Sequence, residues 1–223
     1  MASPRIAATA VALTATLGLA ATSWAVAVWQ MSGTDMGGMA MGDMSPLGTF
    51  ASFAALWVPM MAAMMLPGAI PAILRLTHSG GWARAVPLFT GSYLAVWTLA
   101  GVAVFGLYRP HGSFAAGAVV IAAGVYELTP LKHYFRRCCR DNVRSGFEFG
   151  LYCLGSSIGL MLMQVALGFM SLTWMTAITA LVLAQKLLPA KAAIDVPLAL
   201  TIIGLGILIV VAPSPVPGFM PPM

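Results

Sequence analysis

Long apolar runs with almost no charge inside them are the feature that most constrains how this chain can fold. Of its 223 residues, 60% are hydrophobic and only 8% are charged, whereas a soluble domain carries about 25% charged residues. Runs of this kind are typical of transmembrane helices, because a helix satisfies all of its backbone hydrogen bonds internally. The sequence therefore predicts an all-α, polytopic membrane helix bundle of about seven transmembrane helices, forming one domain over residues 1–223. The predicted spans are 6–29, 48–66, 85–108, 113–131, 147–169, 173–188 and 196–212.

Three of these spans leave alternatives open. The first run follows the basic residue Arg5 and is rich in alanine, as a signal peptide would be. Its apolar core is about twice the usual signal-peptide length, which favours a retained helix. The runs 147–169 and 173–188 are joined by a short turn, so a re-entrant pair fits nearly as well as two full crossings.

The basic residues predict the orientation of the bundle. If the N-terminus is cytoplasmic and the chain crosses seven times, all of the eleven Lys and Arg residues except Arg109 lie on the cytoplasmic side. This asymmetry follows the positive-inside rule. It makes 30–47 an external Met-rich loop, 132–146 a basic cytoplasmic loop and 213–223 an external Pro-rich tail. Because the basic residues are spread over several short loops, the sequence gives no indication of nucleic-acid binding.

Methionine is concentrated in one part of the chain. Nine of the sixteen methionines lie between residues 31 and 71. In the external loop, Met39 and Met41 are close enough to share one ion, with Met36 or Met44 as a third ligand. Thioether sulfur is a soft ligand that suits Cu(I). The alternative is a linker that packs on a partner, since methionine fills irregular surfaces well.

Two helical stripes extend this hypothesis into the membrane. Met60 and Met64 are four residues apart and share a helix face, although such stripes usually serve packing. In the fifth span, Cys153, Ser157, Met161 and Gln164 recur at helical spacing. This stripe indicates either a ligand site or polar contacts that hold helices together, and a glutamine at this depth needs a partner.

The ionisable residues near the cytoplasmic side have simpler interpretations. Glu127 is an acidic residue inside a span, and Lys132 lies near enough to neutralise it. His133, Cys138 and Cys139 could form a metal exit site, but vicinal cysteines do not easily reach one ion together. The sequence contains no nucleophile elbow, phosphate loop or HExxH motif, so we expect no catalytic residues and no enzyme activity of its own.

Several phrases occur in an order that resembles a known family. They are WVPMMAAMMLPGAIP (57–71), GSYLAVW (91–97), AAGVYELTPLK (122–132), and GLYCLGSSIGLMLM, GFMSLTWM and LAQKLLP (within 150–189). Together they resemble the bacterial domain of unknown function 2182 family, described as predicted metal-binding integral membrane proteins. The resemblance covers about residues 57–189. It implies a multi-pass protein of the bacterial cytoplasmic (inner) membrane with a metal-related role.

The chain departs from this family where several members carry possible ligands. Ser156-Ser157 stands in place of a Cys-Cys pair, and Gln185-Lys186 in place of Glu-Lys. Phe135 replaces the first cysteine of a C-x-x-x-C segment whose second cysteine is Cys139. Cys139 and Cys153 correspond to retained cysteines. The resemblance thus implies either that methionines have taken over metal binding, or that the chain keeps the fold as a structural subunit.

Two hypotheses of function follow. In the first, the protein binds Cu(I) at the Met-rich loop and passes it to its helices or to a neighbouring cuproprotein. In the second, it is a non-catalytic accessory subunit that stabilises a larger membrane enzyme complex, such as a copper-dependent oxygenase or oxidase. A transporter using Glu127 and Gln164 is less well supported, because no inverted repeat is visible. The candidate metal ligands are Met36, Met39, Met41, Met44, Met60, Met64, Cys153 and Met161.

Overall fold

The prediction of an all-α fold is confirmed by a computed structural model that describes residues 4–34, 46–78, 81–107, 113–141, 145–168, 171–188 and 192–212. These ranges contain eight helices and no strand. The helices are α1 (Pro4–Thr34), α2 (Pro46–Thr77), α3 (Trp82–Leu107), α4 (Ser113–Glu127), α5 (Pro130–Asp141), α6 (Gly146–Leu167), α7 (Leu172–Leu187) and α8 (Ala192–Val211).

The helix lengths agree with the predicted spans in most places. Within the described ranges, four helices (α1, α2, α3 and α6) are long and apolar enough to cross a membrane. Helices α4 and α5 pass the same test together but are bent by 63° at their junction, which gives a fifth span if the pair is counted as one. Helices α7 and α8 are apolar but shorter.

Helix α2 is longer than predicted. The expected end at Pro67 is wrong, because the helix continues through Pro59, Pro67 and Pro71 to Thr77. A proline inside a helix leaves the carbonyl four residues earlier without its usual donor. For Pro59 that carbonyl is Ala55, and the side chain of Gln30 in α1 donates to it at 3.3 Å. A donor from a neighbouring helix thus compensates for a proline, as happens in membrane helices.

The basic segment after α4 is also helical, where the sequence predicted a loop. The fourth span ends at Glu127, and α5 begins at Pro130 after a short break. Proline favours the first turn of a helix, where its missing N–H costs nothing. Helix α5 places Lys132, Arg136 and Cys139 towards one partly buried face, whereas Arg137 and Arg140 are exposed.

The chain divides into two compact units. The first comprises residues 1–108 and 142–151, and the second comprises residues 109–141 and 152–223. In the first unit α2 packs against both α1 and α3, and the Trp57 indole donates to the Trp97 carbonyl at 2.9 Å. In the second unit α4 and α8 pack closely. A Cβ atom at Gly124 would lie 3.0 Å from the Ala199 carbonyl oxygen, so glycine permits this approach.

Candidate metal centre

Two cysteines from different helices meet in the second unit. Cys139 on α5 is hydrogen-bonded to Cys153 on α6. Cys153 is fully buried, and among the described residues both thiols are free of disulfides. The structure therefore places two soft sulfur ligands side by side, although they belong to different helices and no helical repeat in the sequence relates them.

A cation lies against the same sulfur. The Nζ atom of Lys186, in the last turn of α7, donates to Sγ of Cys153 at 2.7 Å. Lys186 is half-buried, so its aliphatic stem packs among the helices while its ammonium group reaches the thiol. Three helices thus converge on one pair of sulfur atoms.

The close approach of α5 and α6 depends on a small residue. The ring of Phe135, one turn before Cys139, covers Gly155, where a Cβ atom would lie 2.7 Å from the ring. Phe135 also packs near Tyr152, with 6.5 Å between the ring centroids. Phe135 therefore fills space beside the thiol pair and adds no ligand.

Helix α5 is fastened to α8 by an ion pair. The guanidinium of Arg136 contacts both carboxylate oxygens of Asp195, at 2.9 and 3.1 Å, and also donates to the Leu188 carbonyl. One guanidinium nitrogen, Nη1, makes both contacts to the carboxylate, and the other, Nη2, makes the contact to the carbonyl. The helix that carries Cys139 is therefore bonded to α8 as well as to α6.

A second polar cluster fastens the junction of α4 and α5 to α7. Lys132 donates to Glu127, as the sequence predicted, and both side chains are almost completely buried. Gln185 completes the cluster: it donates to Glu127 at 2.6 Å and accepts from Lys132 at 3.0 Å. Because Gln185 precedes Lys186 on α7, this cluster sets the position from which Lys186 reaches Cys153.

The stripe of polar and sulfur-containing residues that the sequence predicted on α6 is buried, but one of its side chains lacks hydrogen bonds to the described residues. Cys153, Ser157, Met161 and Gln164 are all buried. Within the described part of the chain, neither polar atom of the Gln164 amide has a hydrogen-bond partner, so the expected partner is absent there. Ser156 donates to the Cys153 carbonyl within its own helix at 2.9 Å.

The other sequence candidates lie elsewhere. Cys138 is hydrogen-bonded to Tyr134, while His133 lies 4.0 Å from Asp195. Neither therefore joins the thiol pair. Met60 and Met64 are fully buried in the first unit, and their role as ligands stays a prediction. The loop methionines Met36, Met39, Met41 and Met44 lie outside the described residues.

The chemistry of the thiol pair fits a narrow class of ions. Within the described ranges, no group of three or more His, Cys, Asp or Glu side chains could hold a metal ion. Zinc in structural sites takes four such ligands in a tetrahedron, so the pair is a poor zinc site. Soft thiolates select Cu(I), which accepts two sulfur ligands in a line. The donor set of Cys139 and Cys153 therefore suits a cuprous ion.

Comparisons with known proteins agree with this chemistry. A family model described as PpoB2, copper chaperone, matches residues 54–209, which is more than half of the chain. The matched range contains both cysteines of the pair and Lys186. The name of this family differs from the one that the sequence phrases suggested, and both point to a metal-related role. No curated protein and no solved structure matches the chain.

Proposed function

The chain belongs to the PpoB2 copper chaperone family, and we propose that it is a membrane-embedded chaperone that holds Cu(I) between Cys139 and Cys153. The observation that carries the proposal is the contact between these two thiols across α5 and α6. A buried pair of soft ligands binds Cu(I) and offers too few ligands for the commoner divalent ions. Membership of a chaperone family agrees with a carrier role and suggests no catalysis.

The membrane location is part of the same proposal. Four long apolar helices in the described ranges, and a fifth span if α4 and α5 are joined, support insertion into a bilayer. Large apolar side chains are exposed on several of these helices, among them Leu88 (75%) and Leu107 (80%) on α3 and Phe114 (73%) on α4. Lipid would cover this apolar surface, which a soluble protein rarely exposes.

The Met-rich loop predicted over 30–47 is shortened by α1, which extends to Thr34, and by α2, which begins at Pro46. We keep the segment between these helices as the proposed capture site. Its methionines Met36, Met39, Met41 and Met44 are thioether ligands, which bind Cu(I) without competition from protons. By the positive-inside rule this loop is external, whereas α5 and the thiol pair lie towards the cytoplasmic side. We propose that the loop collects copper, that the buried thiols retain it, and that a neighbouring cuproprotein receives it.

Copper binding by the purified protein tests the proposal. The full chain is purified in detergent, loaded anaerobically with Cu(I) and separated from free ion, and copper per chain is then measured. We expect Cys139→Ser and Cys153→Ser each to remove one copper per chain. Cys138→Ser is the matched control and should retain it, because Cys138 is bonded to Tyr134.

A separate variant examines the loop. Replacement of Met36, Met39, Met41 and Met44 by leucine should lower the copper taken up from dilute Cu(I) while the thiol pair still loads from excess. Unchanged copper content in both cysteine variants would contradict the proposal. A copper-free chain that co-purifies in a fixed ratio with a larger membrane enzyme would instead support the accessory-subunit hypothesis.

A further inference from the structure

We propose that Lys186 is the charge-balancing residue of the thiol pair and makes it selective for a monovalent ion. The inference rests on the proposed copper site and assigns a role to a residue that cannot itself ligate Cu(I) as an ammonium group. The observation is geometric: Nζ of Lys186 lies 2.7 Å from Sγ of Cys153, which is fully buried.

The charges around the pair single out Lys186. Glu127 is neutralised by Lys132 and Asp195 by Arg136, so each of these carboxylates already has a cationic partner in the second unit. The ammonium group of Lys186 contacts a sulfur atom. Lys186 is therefore placed to compensate the negative charge that arises when the two thiols lose their protons and bind a metal ion.

The charge balance depends on the valence of the bound ion. Two thiolates and one cuprous ion carry a net charge of −1, which the ammonium group of Lys186 brings to zero. A divalent ion on the same thiolates would leave the site with a net charge of +1. Uncompensated charge is costly where the dielectric is low and water is excluded. The site with Lys186 thus favours Cu(I) over Zn²⁺ by charge as well as by ligand number.

The local structure explains why Lys186 stays at the sulfur. The preceding residue, Gln185, is bonded to both members of the buried pair formed by Glu127 and Lys132. These bonds fix the rotation of the last turn of α7, and adjacent helical residues point in different directions. Because the Gln185 side chain points to the ion pair of Glu127 and Lys132, the Lys186 side chain points to Cys153.

The test compares metal affinities in the full chain with the four loop methionines replaced by leucine, so that the loop makes no contribution to the measured affinity. Cu(I) affinity is determined by competition with a chromophoric Cu(I) chelator, and Zn²⁺ affinity with a zinc indicator. The variants are Lys186→Gln, which removes the charge but keeps a donor, and Lys186→Arg, which keeps the charge. Arg84→Gln removes the same charge from an exposed position in the first unit and is the matched control.

We expect Lys186→Gln to weaken Cu(I) binding about ten-fold, a modest factor because the half-buried ammonium is partly screened by water. Zn²⁺ binding should stay constant or become tighter, so the ratio of the two affinities falls. Lys186→Arg and Arg84→Gln should keep the ratio of the parent. If Lys186→Gln elutes as aggregate, Lys186→Leu replaces it as the neutral variant.

Two results would overturn the inference and can be told apart. Equal Cu(I) affinity in the parent and in Lys186→Gln, with binding still lost in Cys153→Ser, would remove the role of Lys186 and leave the copper site intact. Equal losses in Lys186→Gln and Lys186→Arg would show that side-chain shape matters and charge does not. Cu(I) binding that survives Cys153→Ser would refute the proposed site and this inference together.

Discussion

Removal of Lys132 alone should damage the protein more than removal of its whole ion pair. Lys132 and Glu127 are 2% and 1% exposed, so neither charge can turn to water when its partner is lost. Lys132→Met leaves the Glu127 carboxylate with a donor from the Gln185 amide but without a cation. Breaking a buried pair in this way costs about 3–5 kcal/mol of folding free energy.

The double variant Glu127→Gln/Lys132→Met should recover most of that loss. It removes both charges and keeps an amide that can bond to Gln185. Replacing a buried pair by neutral side chains of similar volume is often close to neutral, so we expect a loss of about 1 kcal/mol. The coupling energy between the two positions is then at least about 2 kcal/mol.

Unfolding of the purified variants in mixed micelles with increasing denaturing detergent, followed by circular dichroism, measures these free energies. A double-mutant cycle over the parent, both single variants and the double variant gives the coupling energy directly. Losses that add to within about 0.5 kcal/mol would refute the reasoning, because additivity is the behaviour of independent sites. The Cu(I) affinities of these variants should fall in the same order as their folding free energies, because the cluster of Glu127, Lys132 and Gln185 positions Lys186.

Three further changes test the packing of helices within each unit. Asp195→Asn removes the carboxylate that holds α5 and should cost about 1.5–3 kcal/mol, the range for hydrogen bonds to charged groups, measured by the same unfolding assay. Gly124→Ala forces a Cβ atom against backbone of α8 and should cost about 1–3 kcal/mol, whereas Gly18→Ala, where space is open, should lower the unfolding midpoint far less. Trp57→Phe loses the bond to the Trp97 carbonyl and should cost about 1 kcal/mol, with the shift in Tm as the readout.

The sequence predicted the features that depend on local pattern. The helical class follows from the apolar runs, and the neutralisation of Glu127 by Lys132 follows from a separation of five residues. The helix α5 carried a usable signal as well, because Phe135 and Cys139 are four residues apart, as are Lys132 and Arg136. Such pairs share a helix face, and the high charge of the segment concealed this pattern.

The contacts between helices could not be predicted in the same way. Arg136 meets Asp195 across 59 positions, and Lys186 meets Cys153 across 33. No periodicity links residues that far apart, because their distance depends on how the helices pack. The family resemblance identified Cys139 and Cys153 as retained cysteines but did not show that they touch. Of the two thiols, the sequence therefore predicted only Cys153 as a ligand, because the contact of Cys139 with it depends on how α5 packs against α6.

The measurement that tests the central claim most directly is the X-ray absorption spectrum of copper bound to the protein in which the four loop methionines are leucine. We predict a cuprous ion with two sulfur neighbours, and loss of that shell in Cys139→Ser and Cys153→Ser. A first shell of nitrogen or oxygen atoms, or a sulfur shell that survives both substitutions, would contradict the account.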